Sequence, residues 1–94
     1  MALQKLYKYE KLNVNLYQSY WRIDTENGIS GGKNGLDVMV IGYKDQTEAQ
    51  QENPYKMAIY NFSFVPDLQS EDNFIKQAYL YLKTLPEFSA AIDV

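Results

Sequence analysis

Histidine and cysteine are both absent from the 94 residues. Without histidine the chain lacks the side chain that most often serves as a general base and a metal ligand near neutral pH. Without cysteine there is no disulfide framework and no thiolate ligand. The two absences exclude cysteine and histidine triads, zinc fingers and HExxH-type metal sites. Apolar runs are short, and none approaches the ~20 residues of a bilayer-spanning helix. The opening stretch, MALQKLYKYEK, has no continuous apolar segment, so no secretory leader is expected. Basic charge is sparse as well. The formal net charge is −3, and the one cluster of lysines, Lys5, Lys8 and Lys11, is interrupted by Glu10. Duplex binding needs a concentrated basic face, because phosphate contacts supply most of the affinity. Neither a nucleic-acid nor a membrane partner is expected.

What the chain has in plenty is tyrosine, with nine among its residues. A tyrosine combines an apolar body with a polar tip and suits half-buried strands and wet interfaces. The length fits a single domain spanning 1–94. Residues 1–11 alternate weakly and read as an edge strand or a mobile arm. Leu12 to Ile23 reads as a strand, with Leu12, Val14 and Leu16 alternating against polar neighbours. A bulge or turn near Gln18-Ser19 would reset its facing by one residue. Asp24 to Gly35 contains the turn dipeptides Asn27-Gly28 and Asn34-Gly35 and reads as a flexible connection. Leu36 to Tyr43 is a second strand, in which Gly42 marks a bulge or a close backbone approach. Lys44 to Pro54 is polar and reads as a surface loop. Tyr55 to Val65 is a third strand, whose row Ala58, Tyr60, Phe62 and Phe64 should face the core, and Pro66 ends its pairing.

The C-terminal unit, 70–90, carries the only clear helical period. Ser70 is the expected N-cap, with Glu71 and Asp72 in the first turn. Phe74, Ile75, Ala78, Tyr79 and Leu82 share one face, while Lys76, Leu80 and Lys83 fall on the other. Thr84 and Glu87 have capping-box spacing, and Pro86 helps start a second short turn. Leu85, Phe88 and Ile92 are expected to fold back on the core. The fold class is therefore α+β: a small, mostly antiparallel sheet of three to four strands covered by a C-terminal helix.

Chemical motifs are weak. Gly32-Lys33 lacks the glycine five residues earlier and the Ser or Thr that a phosphate loop needs. Asp24, Glu26 and Gly28 suggest the start of a calcium loop, but the glycine comes one position early and Gly35 stands where glutamate should. Asn61-Phe62-Ser63 matches the glycosylation tripeptide inside an expected strand, where chance explains it best. Asp37, Asp45, Glu48 and Glu52 could supply a carboxylate pair, but they lie mostly in polar loops with no sign of an enclosing pocket. No catalytic, cofactor-binding or metal-binding residue is assigned, and no enzymatic activity is expected. The better lead is aromatic: Tyr17, Tyr20 and Trp21 could form a platform for a sugar ring or a protein partner, or pack the sheet under the helix. Leu80, opposite the helix core face, is a scattered exposed leucine or part of a subunit contact.

Three stretches together carry a resemblance. They are Ser19 followed by Tyr20-Trp21-Arg22-Ile23; a strand ending in Gly42-Tyr43-Lys44-Asp45; and Gln77-Ala78-Tyr79-Leu80-Tyr81-Leu82-Lys83, running into Leu85-Pro86-Glu87-Phe88 and Ala91-Ile92-Asp93-Val94. Their order resembles small proteins of the tail and baseplate modules of tailed bacteriophages and prophages, siphophages among them. The resemblance implies a non-enzymatic virion protein, made in the bacterial cytoplasm, that docks to other tail or baseplate proteins; a homo-oligomer is compatible with the residues, which do not fix the oligomeric state. Two other functions fit the residues: a carbohydrate-binding module contacting the host surface, and a small inhibitor of a host protein. The sugar-binding alternative requires Tyr20 and Trp21 to be exposed side by side.

Overall fold

Alternation of apolar and polar residues with period two builds the frame. The computed structural model describes residues 2–26, 28–32 and 34–94. Six strands form one sheet: β1 (Leu3–Tyr9), β2 (Val14–Ile23), β3 (Ile29–Gly32), β4 (Gly35–Tyr43), β5 (Ala58–Phe64) and β6 (Ile92–Asp93). All the pairings are antiparallel. The order runs β5, β4, then β2 and β3 along the same side of β4, then β1 and β6. Two short helices, α1 (Gln46–Ala49) and α2 (Phe74–Leu82), and a 3₁₀ turn at Pro86–Phe88 complete the chain. The expected α+β class is right, and the expected strand number is too low.

The two extra strands have distinct origins. β3 lies inside the segment that composition marks as a flexible connection. It is the continuation of β2 along β4. Ile23 pairs with Val40 and Ile29 with Val38. Between them Asp24 N–H donates to Met39 O at 3.0 Å, and Met39 N–H donates to Gly28 O at 2.7 Å. Asp24 and Gly28 therefore both face Met39, and Thr25 and Glu26 stand outside the ladder. Gly28 is needed at this closure, since a Cβ there would stand 2.6 Å from the Asp24 carbonyl oxygen. Asn27 and Lys33, which the first turn dipeptide and the glycine-lysine motif invoke, lie outside the described residues. β6 is only two residues long, so no periodicity announces it; it pairs with Leu3 and Gln4. That pairing makes the start of β1 an interior strand, and Leu3 is fully buried.

The facing reset in β2 is present. Lys5 pairs with Ser19 and Tyr7 with Leu16, so Leu6 stands opposite both Tyr17 and Gln18. This bulge returns Ser19, Trp21 and Ile23 to the helix side. The inward row of β5 is also as expected: Ala58, Tyr60, Phe62 and Phe64 all join the main core. That core holds Leu3, Trp21, Ile23, Leu36, Val38 and Val40 against Ala78, Tyr79, Leu82 and Phe88. A second, smaller cluster on the opposite face joins Ile41, Tyr43 and Ala49, with Tyr20 and Met39 packed against it. It forms because Lys44 to Pro54 is not all loop. Asp45 caps α1, its Oδ1 accepting from Glu48 N–H at 2.8 Å, and the single apolar residue Ala49 is buried.

The C-terminal helix differs from expectation at its start and on its face. Its N-cap is Asn73, whose Oδ1 accepts from Lys76 N–H at 2.8 Å. Ser70 instead accepts from Asp72 N–H within a preceding turn. Gln77 holds that turn: its amide binds Asp67 N–H at 2.7 Å, Asp67 O at 3.0 Å and Asp72 O at 2.9 Å. The backbone of 67–72 is thus satisfied outside a helix. With the helix starting late, Phe74 and Ile75 lie at its end and are 42% and 36% exposed. Ala78, Tyr79 and Leu82 make the buried stripe, and Tyr81 stacks on Phe62 and Phe64 with centroids 5.7 and 5.6 Å away. The Tyr79 hydroxyl accepts from Ile23 N–H at 2.9 Å, and burial pushes its pKa up, which keeps it protonated. Thr84 Oγ1 donates back to Tyr81 O rather than capping the next turn, while Pro86 does begin that turn. Phe88 is buried and Leu85 packs on the core, but Ile92 is 56% exposed because β6 presents it to solvent.

Candidate functional site

The four residues singled out for an interaction surface do not form one. Tyr17, in the β2 bulge, is 71% exposed, whereas Trp21 is 3% exposed. Trp21 Nε1 donates to Ser19 Oγ at 2.9 Å, and Ser19 Oγ donates to Lys5 O at 2.5 Å, so the indole N–H is satisfied inside the protein. Tyr20, its neighbour in the strand, points to the other face and packs with Ile41, Tyr43 and Ala49. Adjacent strand residues cannot share a platform, and Tyr20 and Trp21 are therefore not side by side. Leu80 is 50% exposed on α2, in a shallow, open surface depression with Val65 and Tyr81.

The structure instead shows a cleft elsewhere. β1 and β2 pair as far as Tyr9 and Val14, but β2 pairs with β4 only from Tyr20 to Ile23. The far half of the hairpin overhangs the end of β4. The turn that closes it uses Leu12 N–H to Tyr9 O and Asn13 N–H to Glu10 O, with Asn13 at a φ of 50°. Beside the overhang runs the chain from Lys44 through α1 to Met57. Tyr9, Leu12, Val14 and Leu16 line one wall of a cleft of about 200 Å³, and Tyr55 and Met57 line the other with Lys44 and Glu48. The two walls are bridged by the Tyr9 and Tyr55 hydroxyls, 3.2 Å apart. That hydrogen bond is the main reason the Tyr9 hydroxyl is a weaker acid than usual. Glu48 Oε1 accepts from Tyr55 N–H at 3.4 Å and ties the second wall to α1.

The lining is apolar and much of it is open to solvent. Leu12 is 69% exposed, Tyr55 59% and Val14 41%. Grouped apolar exposure of this kind marks a recognition surface more often than scattered leucines do. The cleft can take an apolar side chain and offer two hydroxyls, a lysine and a glutamate at its rim. Sequence reading assigned Leu12, Val14 and Leu16 to an ordinary half-buried strand row. The missing information was the register of β2 on β4, which decides that, among the described residues, this part of the strand has no ladder partner on that side.

Three of the four carboxylates considered for catalysis are dispersed into structural roles, and Glu52 is exposed. Asp45 caps α1, Asp37 accepts from Ser63 Oγ at 2.5 Å, and Glu48 holds the Tyr55 backbone. Among the described residues no three acidic side chains come together as a metal site, and no helix is long and apolar enough to cross a membrane. No family model, curated protein or solved structure matches this chain.

Proposed function

We propose that the chain is a non-enzymatic interaction protein that docks an apolar side chain of a protein partner into the cleft between the β1–β2 overhang and Tyr55. The observation that carries this reading is the cleft itself, with Leu12, Val14 and Tyr55 exposed around an apolar lining. Aromatic and aliphatic anchors seated in such pockets supply most of the energy of small interfaces. The partner is another protein of a phage tail or baseplate. That assignment rests on the likeness of the segments around Tyr20-Trp21, Gly42-Tyr43 and Gln77–Val94 to small proteins of those modules. The test is mass spectrometry of purified virions from a host that makes the protein. Recovery of the chain with the particles is the expected result. Its absence from particles while it is abundant in the lysate would overturn the assignment.

A further inference from the structure

We infer that the outer edge of β5 is a two-fold seam, at which a second copy of this chain adds its own β5 in the antiparallel sense. This goes beyond the cleft and involves none of its walls. Among the described residues β5 has one ladder partner, β4. The direction of its backbone groups follows from the opposite side of β4. Met39 uses its N–H and its carbonyl on Gly28 and Asp24, toward β2 and β3. Backbone groups alternate sides along a strand. β4 therefore meets β5 through Leu36, Val38, Val40 and Gly42, whose partners are Phe64, Phe62, Tyr60 and Ala58. The N–H and carbonyl groups of Ile59, Asn61 and Ser63 point away from β4, and all three residues are exposed.

The other side of the sheet is protected in the usual ways. β1 carries Lys5 and Lys8, β2 bulges opposite its Leu6, and β6 covers its start. β5 has none of these devices. Its seven residues, AIYNFSF, include no charge and no proline, and its register on β4 is regular.

A second copy is the occupant that fits. With the two-fold at Asn61, Ile59 faces the partner's Ser63, Ala58 faces the partner's Phe64, and Asn61 faces the partner's Asn61. Large residues meet small ones at the outer positions, and no like charges oppose each other. All the outward backbone groups of the strand are used, giving about six hydrogen bonds across the seam. The interface is isologous, so it closes at two copies rather than growing into a fibre.

The natural absence of cysteine makes the test direct. Oxidation of Asn61→Cys should give a disulfide-linked dimer in high yield. Ile59→Cys should not, because its Cα would lie ~13 Å from its own copy, four residues of strand away, beyond the ~7 Å that a disulfide spans. In sedimentation equilibrium at ~100 µM, above the micromolar Kd expected of a small seam, the native chain should approach twice its 10.9 kDa mass. Asn61→Lys, which places two ammonium groups on the axis, should weaken association by about tenfold or more. A native chain that sediments at 10.9 kDa would overturn the inference. So would equal crosslinking of the two cysteine variants, or a dimer unaffected by Asn61→Lys.

Discussion

Trp21→Ala is expected to lower the free energy of unfolding by about 3–5 kcal/mol. A domain of this size is typically stable by only about 5–15 kcal/mol, so the variant should be partly unfolded or close to it. The reason is the position of the indole. Its edge-to-face contacts with Tyr7 and Phe88, both at 5.3 Å between centroids, link β1, β2 and the 3₁₀ turn. Phe88 in turn meets Tyr60 of β5 at 5.3 Å. Lys5 lays its ammonium 4.3 Å from the Phe88 centroid and 5.5 Å from Trp21 and donates to the Glu87 carbonyl; partial burial holds its pKa below the usual lysine value. Removing Trp21 opens a cavity at the centre of this chain of rings and leaves Ser19 Oγ without its donor. Trp21→Phe keeps part of the packing and should lose less. Urea titration followed by far-UV circular dichroism measures both, since the variants lack the only tryptophan. A loss under 1 kcal/mol for Trp21→Ala would mean that the indole is not a core anchor.

Gly42→Ala is expected to destabilise the sheet by crowding the indole. A Cβ on residue 42 would stand 2.7 Å from two atoms of the Trp21 ring and 2.8 Å from a third. The ring cannot retreat, because Phe88 and Tyr7 hold it from the other sides. Overpacking of this kind typically costs about 1–3 kcal/mol and sometimes more. The cause can be isolated by a double-mutant cycle. In a Trp21→Phe background, the smaller ring makes room, and Gly42→Ala should then cost less than half its penalty in the native chain. Equal penalties in the two backgrounds would show that the cost comes from the backbone and not from the ring. Sequence marks Gly42 as a bulge or a close approach; in the structure it is a close approach, and the approaching group is the indole.

Much of the frame was legible because it follows from period-two patterns. β4 and β5 stand close to their expected limits, and the inward row of β5 needed only the alternation of its side chains. The helix was legible in existence and in its buried stripe of Ala78, Tyr79 and Leu82, but not in its start. Two capping residues, Ser70 and Asn73, compete for its start, and the winner is decided by Gln77 reaching back to Asp67 and Asp72. That three-residue shift moved Phe74 and Ile75 from an expected core face to the exposed end. β3 and β6 were not legible, because each exists only through the strand it joins: β3 as the resumption of β2 along β4, β6 as a two-residue addition to β1. The interaction surface failed for a related reason. Tyr20 and Trp21 are adjacent in sequence, and a strand sends neighbours to opposite faces, while Tyr17 sits in the bulge opposite Leu6. Exposure at Leu12 and Tyr55 depends on where β2 stops pairing with β4, which no local pattern encodes.

The docking role is tested most directly by a variant that closes the cleft without touching the core. Leu12 is 69% exposed in the hairpin turn, so Leu12→Asp should leave the thermal midpoint of the isolated protein close to that of the native chain. Quantitative mass spectrometry of virions assembled with each form then compares incorporation. The expected result is native protein in the particles and a reduction of about tenfold or more for Leu12→Asp, the loss of one buried anchor. Equal incorporation of the two forms would contradict the role assigned to the cleft.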